Sequence, residues 1–217
     1  MPFGFNRKKT DTELRGTGES IAGADARSPR TVRLHGFTED WRLEADVAIT
    51  GRLLDMLNQR EALSVESAAW APIDGSAPMA AAPGITTLDP YDLIVVIATV
   101  ETAAAISDEE RAARRIHKVT YDVGIEIPPF RVVGTIQLHP GSEPDSLLER
   151  SNQMFTAVTD PWVTMNGIDL DLGPGVDAVL VNRFYMRGVE QVDRALGLPH
   201  PRLPGQGLGG TNWRERT

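Results

Sequence analysis

Two aspartates in the stretch "DLDLGPGVD", residues 169–177, come nearest to the spacing of a metal site. Asp169 and Asp171 would occupy the first and third positions of a calcium-binding EF-hand loop. Pro174 then stands where that loop needs glycine, and Leu180 stands where it needs a bidentate glutamate. We therefore predict a polar turn between strands, with a cation site as the alternative.

The histidines are the other side chains suited to acid–base chemistry, and they are His35, His117, His139 and His200. Their separations match no metal-binding or catalytic spacing. The segment "GQGLGG" (205–210) has the glycine spacing of a dinucleotide site, but too few residues follow it to form the required helix. The chain also has no cysteine. The sequence therefore assigns no catalytic, cofactor-binding or metal-ligating residue and no cofactor.

Charge is unevenly distributed along the chain, whose formal net charge is −8. Residues 1–33 carry seven Lys or Arg against four acidic residues, and residues 191–217 carry four against two. The middle, 34–190, has 11 basic and 24 acidic residues. Such a body repels phosphate backbones, so we expect no nucleic-acid binding through it. Tethering of the basic ends to an anionic surface is a third-ranked alternative, because they carry little charge.

Hydropathy indicates neither a membrane span nor a secretory signal. No stretch approaches the 18 or so consecutive apolar residues that a spanning helix needs. The cationic N-terminal residues are not followed by an apolar run. We therefore expect a cytoplasmic protein without a transmembrane segment.

The secondary-structure elements that would position these residues are predicted from a near-repeat in the sequence. The segment "RLLDMLNQ" (52–59) nearly recurs as "SLLERSNQ" (146–153). An alternating strand precedes each copy, and a run of β-prone residues follows it, ending at Trp70 or Trp162. Gly134 interrupts the second of the preceding strands and predicts a bulge. The flanks, rather than the eight residues themselves, favour a duplicated unit.

Each copy predicts a short helix, which in the first copy has a leucine stripe of Leu53, Leu54 and Leu57. Asn58 and Asn152 stand where these helices end, and we interpret them as left-handed caps. Trp70 and Trp162 are predicted to pack in the core or at its rim.

Between the units, Ser107 and Glu110 form a capping box that predicts a helix over 108–118. Within the first unit, residues 71–90 are rich in Pro, Ala and Gly and predict a long loop.

The arrangement resembles a family of small bacterial β-rich domains of unknown function, which show an Arg-Leu-x-Asp-x-Leu-Asn type turn between two strands. The matching residues of the first unit are Arg52, Leu53, Asp55, Leu57 and Asn58. In the second unit, Leu147 and Asn152 match, and Ser146 and Glu149 replace the Arg and the Asp. The resemblance implies a β-rich fold in tandem and no known activity.

The sequence thus predicts a mainly β (β-rich α+β) protein of two related antiparallel units, small barrel- or sandwich-like and joined by one helix. The predicted division is a disordered tail 1–30, unit 31–101, linker helix 102–118, unit 119–190, and a mostly disordered tail 191–217. We expect a non-enzymatic interaction or regulatory module with a protein partner or self-association. The alternative is a small-ligand-binding protein or enzyme with a site between the units, where Asp or Glu would meet His35 or His139.

Overall fold

The computed structural model describes residues 29–102, 118–149, 153–193 and 198–199. The predicted helix over 108–118 and most of both predicted tails lie outside these ranges. No helix within the described ranges has the length and apolar character needed to cross a bilayer.

Strands dominate the described residues. They are β1 Arg30–Phe37, β2 Trp41–Ile49, β3 Leu63–Pro72, β4 Ala80–Ala81, β5 Thr87–Leu88, β6 Val95–Thr99, β7 Val119–Ile127, β8 Phe130–Leu138, β9 Phe155–Met165, β10 Ile168–Asp169, β11 Val176–Asn182, β12 Gly188–Asp193 and β13 Leu198–Pro199. The described helical elements are α1 Leu53–Leu57 and the 3₁₀ turns Pro90–Asp92, Pro144–Leu148 and Arg183–Tyr185.

The strands form one antiparallel sheet in the order β13-β12-β7-β8-β9-β11-β6-β1-β2-β3-β4, with β10 added to β9 and β5 added to β3. The prediction of a mainly β fold is confirmed. The sheet is open and does not close into a barrel. We refer to β1–β6 with α1 as the first half and to β7–β13 as the second half.

The two halves meet at the antiparallel pair β6–β11, and this pair is buried on both faces. Val96 and Ala98 of β6 belong to a core that also contains residues of β1–β3 and α1. Val95 and Ile97, which point the other way, belong to a second core with residues of β7–β9. The first half of the sheet therefore curves over one face of the β6–β11 pair, and the second half curves over the opposite face.

The alternating sequence of β2 predicts which of its residues face the core. The structure agrees with this prediction, since Leu43, Ala45, Val47 and Ile49 are all buried. Residues 71–90 do not form a free loop. They return along β3 as β4 and β5, with the Ala82 N–H donating to the Ala68 carbonyl at 2.8 Å. This return covers the outer edge of β3, which would otherwise leave its backbone groups unpaired.

Both halves contain a bulge at matching places. The β2–β3 register slips at Ala45, opposite Ser67, and the β8–β9 register slips at Gly134, opposite Asp160. Ser67 and Asp160 both have left-handed backbones, with φ of 50° and 48°. The bulge predicted at Gly134 is confirmed.

The short helix predicted after β2 is α1, whose Leu53 and Leu57 are buried. Asn58 ends it with φ −75°, so the left-handed cap predicted there is wrong. The Asn58 side chain reaches the second half instead, where its Oδ1 accepts from the Phe155 N–H at 2.7 Å and its Nδ2 donates to the Phe155 carbonyl at 3.1 Å. Asn152 lies outside the described residues.

A second asparagine, Asn182, ties the halves together from the other side. It is fully buried, and its Nδ2 donates to the Leu93 carbonyl at 2.8 Å. Its Oδ1 accepts from the Phe184 N–H at 3.1 Å, which caps the 3₁₀ turn after β11. A buried amide satisfied in this way fixes one arrangement of the backbone on each side of the junction.

Candidate functional site

The candidate site is a groove of about 350 Å³ where β9 and the β10–β11 connection meet. Its walls combine aspartate side chains, an indole and apolar side chains. The lining residues are Asp160, Pro161, Trp162, Val163, Leu170, Asp171, Leu172, Gly173 and Val176.

A tight hairpin builds one wall of this groove, which we call the Trp162 groove. Met165 pairs with Ile168 across the two-residue turn Asn166–Gly167. Both turn residues have positive φ, 52° and 80°, as the hairpin turn favoured by Asn-Gly requires. The turn folds β10 back onto β9 and brings Asp169 beside Trp162.

The indole of Trp162 is both exposed and fixed in position. Its exposed fraction is 52%, and its Nε1 donates to Asp169 Oδ1 at 3.0 Å. Val163, the next residue, is buried in the second core. Of the two predicted positions for Trp162, core or rim, the core is therefore wrong, because strand alternation turns its side chain outward.

Asp171 shapes the opposite wall. Its Oδ1 accepts from the Gly173 N–H at 2.9 Å, and positive φ values at Gly173 and Gly175 carry the chain around Pro174. The polar turn predicted for this stretch is what the geometry shows. Asp169 and Asp171 accept from different donors, and within the described ranges no group of three or more His, Asp or Glu is arranged to hold a metal ion.

The segment that builds the groove is uniformly acidic. Residues 155–182 contain four Asp and no Lys, Arg or His. A cation that enters would meet the face of an indole and nearby carboxylates, which together attract ammonium and guanidinium groups. Leu170, Leu172 and Val176 would contact the alkyl part of such a side chain.

A second aromatic surface lies in the first half. Trp41 at the start of β2 stacks on Trp70 of β3, with ring centroids 4.5 Å apart and an angle of 18° between the planes. Both indoles are more than a third exposed. Trp70 therefore lies at the rim of its half, and this aromatic pair lies outside the Trp162 groove.

The histidines in the described residues do not converge on a cleft. His35 lies on β1 with its Nδ1 3.4 Å from Glu44 Oε1, beside the ion pairs of Arg33. His139 follows the end of β8 and is exposed in a turn closed by the Ser142 N–H. The other two histidines lie outside the described residues.

Three side chains that sequence reasoning did not single out organise the junction and the groove. Asn182 ends β11, and Arg183 begins the 3₁₀ turn that follows it. Burial lowers the pKa of the Arg183 guanidinium, which remains a cation at neutral pH. Asp160 lines the groove from the bulge opposite Gly134. Two sequence signals could have indicated the groove, namely the Asn166–Gly167 turn and the absence of basic residues from the sequence around Trp162.

Comparison with protein-family models, with curated proteins and with solved structures finds no match for this chain. The resemblance to a family of β-rich domains therefore stays a prediction.

Proposed function

We propose that the protein is a non-enzymatic interaction module, built from two related β units, that binds a basic segment of a partner protein in the Trp162 groove. One observation carries the proposal. An exposed indole is held in place by Asp169 within a groove that also contains apolar residues and two further aspartates, with no basic residue among its described lining residues.

The energetics of such a groove suit a reversible contact. A cation over an indole contributes about 0.5–2 kcal/mol, depending on how far it is desolvated. The carboxylates add attraction that salt weakens. Tryptophan is also among the residues most enriched at the energetic centre of protein interfaces.

Two related units are supported by the bulges at Ala45 and Gly134, each of which faces a left-handed residue. A helix between the units, over 102–118, remains part of the proposal. The alternative of a ligand site between the units has no specific observation in its favour, since Asn58, Asn182 and apolar side chains occupy the described junction.

The experiment is crosslinking in native lysate with wild-type protein, Trp162→Ala and Trp41→Ala. Trp41 is the matched control, because it is also an exposed indole but lies outside the groove. We expect a partner that wild type and Trp41→Ala capture and that Trp162→Ala loses, with weaker capture at raised salt. The proposal fails if no protein is captured, or if Trp162→Ala captures the same proteins as wild type.

A further inference from the structure

We propose that the Trp162 groove is regulated by the chain itself: the basic segment Arg7–Lys9 occupies the groove of its own molecule until a partner displaces it. This inference rests on the proposed function, since it assigns the same site an internal competitor. Arg7, Lys8 and Lys9 are three consecutive cations within a region of net positive charge, and they lie outside the described residues.

The first argument is position within the sheet. A row of paired residues crosses the four central strands through His35, Ile97, Val179 and Val158. Arg30, where β1 begins, lies five residues before this row, and Trp162 lies four residues after it on β9. Because β1 and β9 run in opposite directions, both residues are displaced toward the same end of the strands. The chain therefore enters the sheet at the end of the strands where Trp162 lies.

The second argument is reach. Arg30 and Trp162 are separated by three strand spacings, which is a distance of at least about 15 Å. Lys9 and Pro29 are 20 positions apart in the sequence, a length of chain that spans at most about 66 Å. The segment can therefore reach the groove without strain.

The third argument is charge combined with tethering. The groove is built by a segment with four Asp and no basic residue, whereas residues 1–33 carry seven Lys or Arg against four acidic residues. A tether of this length holds the basic segment at an effective concentration of about a millimolar. Even a weak interaction of these cations with the indole and the carboxylates is then formed in a substantial fraction of the molecules.

The experiment follows the indole N–H resonance of Trp162 in a two-dimensional nitrogen–proton spectrum of the full chain. The signal is assigned by its loss in Trp162→Phe, which separates it from the other three tryptophans. The test variant carries Arg7→Gln, Lys8→Gln and Lys9→Gln. The matched control carries Arg202→Gln, Arg214→Gln and Arg216→Gln, which removes the same charge from the other end of the chain.

We expect the test variant to shift the Trp162 signal and to leave the other indole signals in place. A synthetic peptide of residues 1–12, added to the test variant, should restore the wild-type position. The control variant should leave the Trp162 signal unchanged. The wild-type position should also be independent of protein concentration.

Each other outcome overturns the inference in a distinguishable way. If the test variant leaves the signal unmoved while the added peptide still shifts it, the segment does not occupy the groove in its own molecule, and the groove itself remains. If neither change moves the signal, the proposed function falls as well. Equal shifts in both variants would indicate a general charge effect, and a dependence on protein concentration would indicate a second copy as the occupant.

Discussion

The β2–β3 and β8–β9 ladders each contain a bulge with a left-handed residue, but the residue opposite the bulge differs. Ala45 stands there in the first half, with its methyl group buried in the first core. Gly134 stands there in the second half, where an added Cβ would lie 2.6 Å from Val158 Cγ1 and 2.8 Å from the Thr159 carbonyl oxygen.

The two bulges therefore differ in how closely the partner strand approaches the residue opposite it. In the first half, the bulge leaves room for a side chain. In the second half, the partner strand β9 lies so close to position 134 that only glycine fits there. The same contrast recurs on the surface, because the bulge residue Asp160 lines the Trp162 groove, whereas the bulge residue Ser67 accepts from Arg33 through its carbonyl at 3.0 Å.

The largest predicted effect compares one asparagine from each half. Asn182→Asp places a buried carboxylate against the Leu93 carbonyl, and we expect it to lower the free energy of unfolding by about 3 kcal/mol or more near neutral pH. Asn58→Asp should cost about 1 kcal/mol, because Asn58 is only partly buried and the Phe155 N–H can still donate to it. Urea denaturation of both variants measures the difference.

The pH dependence of Asn182→Asp provides its control. Burial raises the pKa of an acid in the folded state, so the destabilisation is present above that pKa and diminishes as the pH falls through it. Once protonated, the introduced carboxyl group can donate to the Leu93 carbonyl as the amide does. Equal costs for the two variants, or no recovery in acid, would contradict the role assigned to Asn182.

The next effect tests the bulges. Gly134→Ala should lower the free energy of unfolding by about 2–3 kcal/mol, because the new methyl group meets backbone as well as a side chain. Gly84→Ala is the matched control, since nothing lies within 4 Å of the Cβ it would add, and it should stay within about 0.5 kcal/mol of wild type.

The reverse substitution at the matching place, Ala45→Gly, should cost about 1 kcal/mol through chain entropy and lost burial. Thermal and urea unfolding check all three variants. If Gly134→Ala unfolded with the same free energy as Gly84→Ala, the close approach at Gly134 would be refuted.

The sequence predicts the local elements of this fold well. Period-two alternation identifies β2, the leucine stripe identifies α1, and Gly134 predicts the bulge opposite Asp160. Each of these signals depends on residues close together in the chain, where spacing alone determines which side chains share a face.

The pairing of β6 with β11 could not be predicted, because both strands are continuous apolar runs that fit any doubly buried position. The hydrogen bond from Asn182 to the Leu93 carbonyl depends on that pairing, so it could not be predicted either. The outward orientation of Trp162 could not be predicted either, because nothing in its own neighbourhood in the sequence shows which face of β9 is covered.

The third predicted effect compares the stability contributions of two arginines, each of which contacts a helical turn in one of the halves. The Arg183 guanidinium donates to the carbonyls of Ser146, Leu147 and Glu149, at 2.7–2.8 Å, and so fixes the turn Pro144–Leu148. We expect Arg183→Gln to lower the free energy of unfolding by about 2 kcal/mol, because charged hydrogen bonds to carbonyl groups are lost.

The control lies in the first half, where Arg52 pairs with Asp55 of α1 at 2.7 Å on the surface. Arg52→Gln should cost only a few tenths of a kcal/mol, since exposed pairs contribute about that much. Hydrogen exchange would locate the effect of Arg183→Gln in the turn 144–149. Equal costs for the two arginines would show that the turn is held by burial of Leu147 instead.

The smallest effect concerns the outer face of β1–β2, where Asp46 accepts from Arg33 at 3.1 Å. The hydrogen bond from Arg33 lowers the pKa of the Asp46 carboxyl, and a hydrogen bond from Ser67 adds to the shift. A lowered pKa contributes stability that is present above the unfolded-state pKa, about 3.9, and is lost as the pH falls through the folded-state value. Asp46→Asn should therefore leave the unfolding free energy nearly unchanged in strong acid and lower it slightly near neutral pH. Urea titrations of both proteins across this pH range would detect the difference, and parallel pH profiles would show that the exposed pair contributes nothing to the fold.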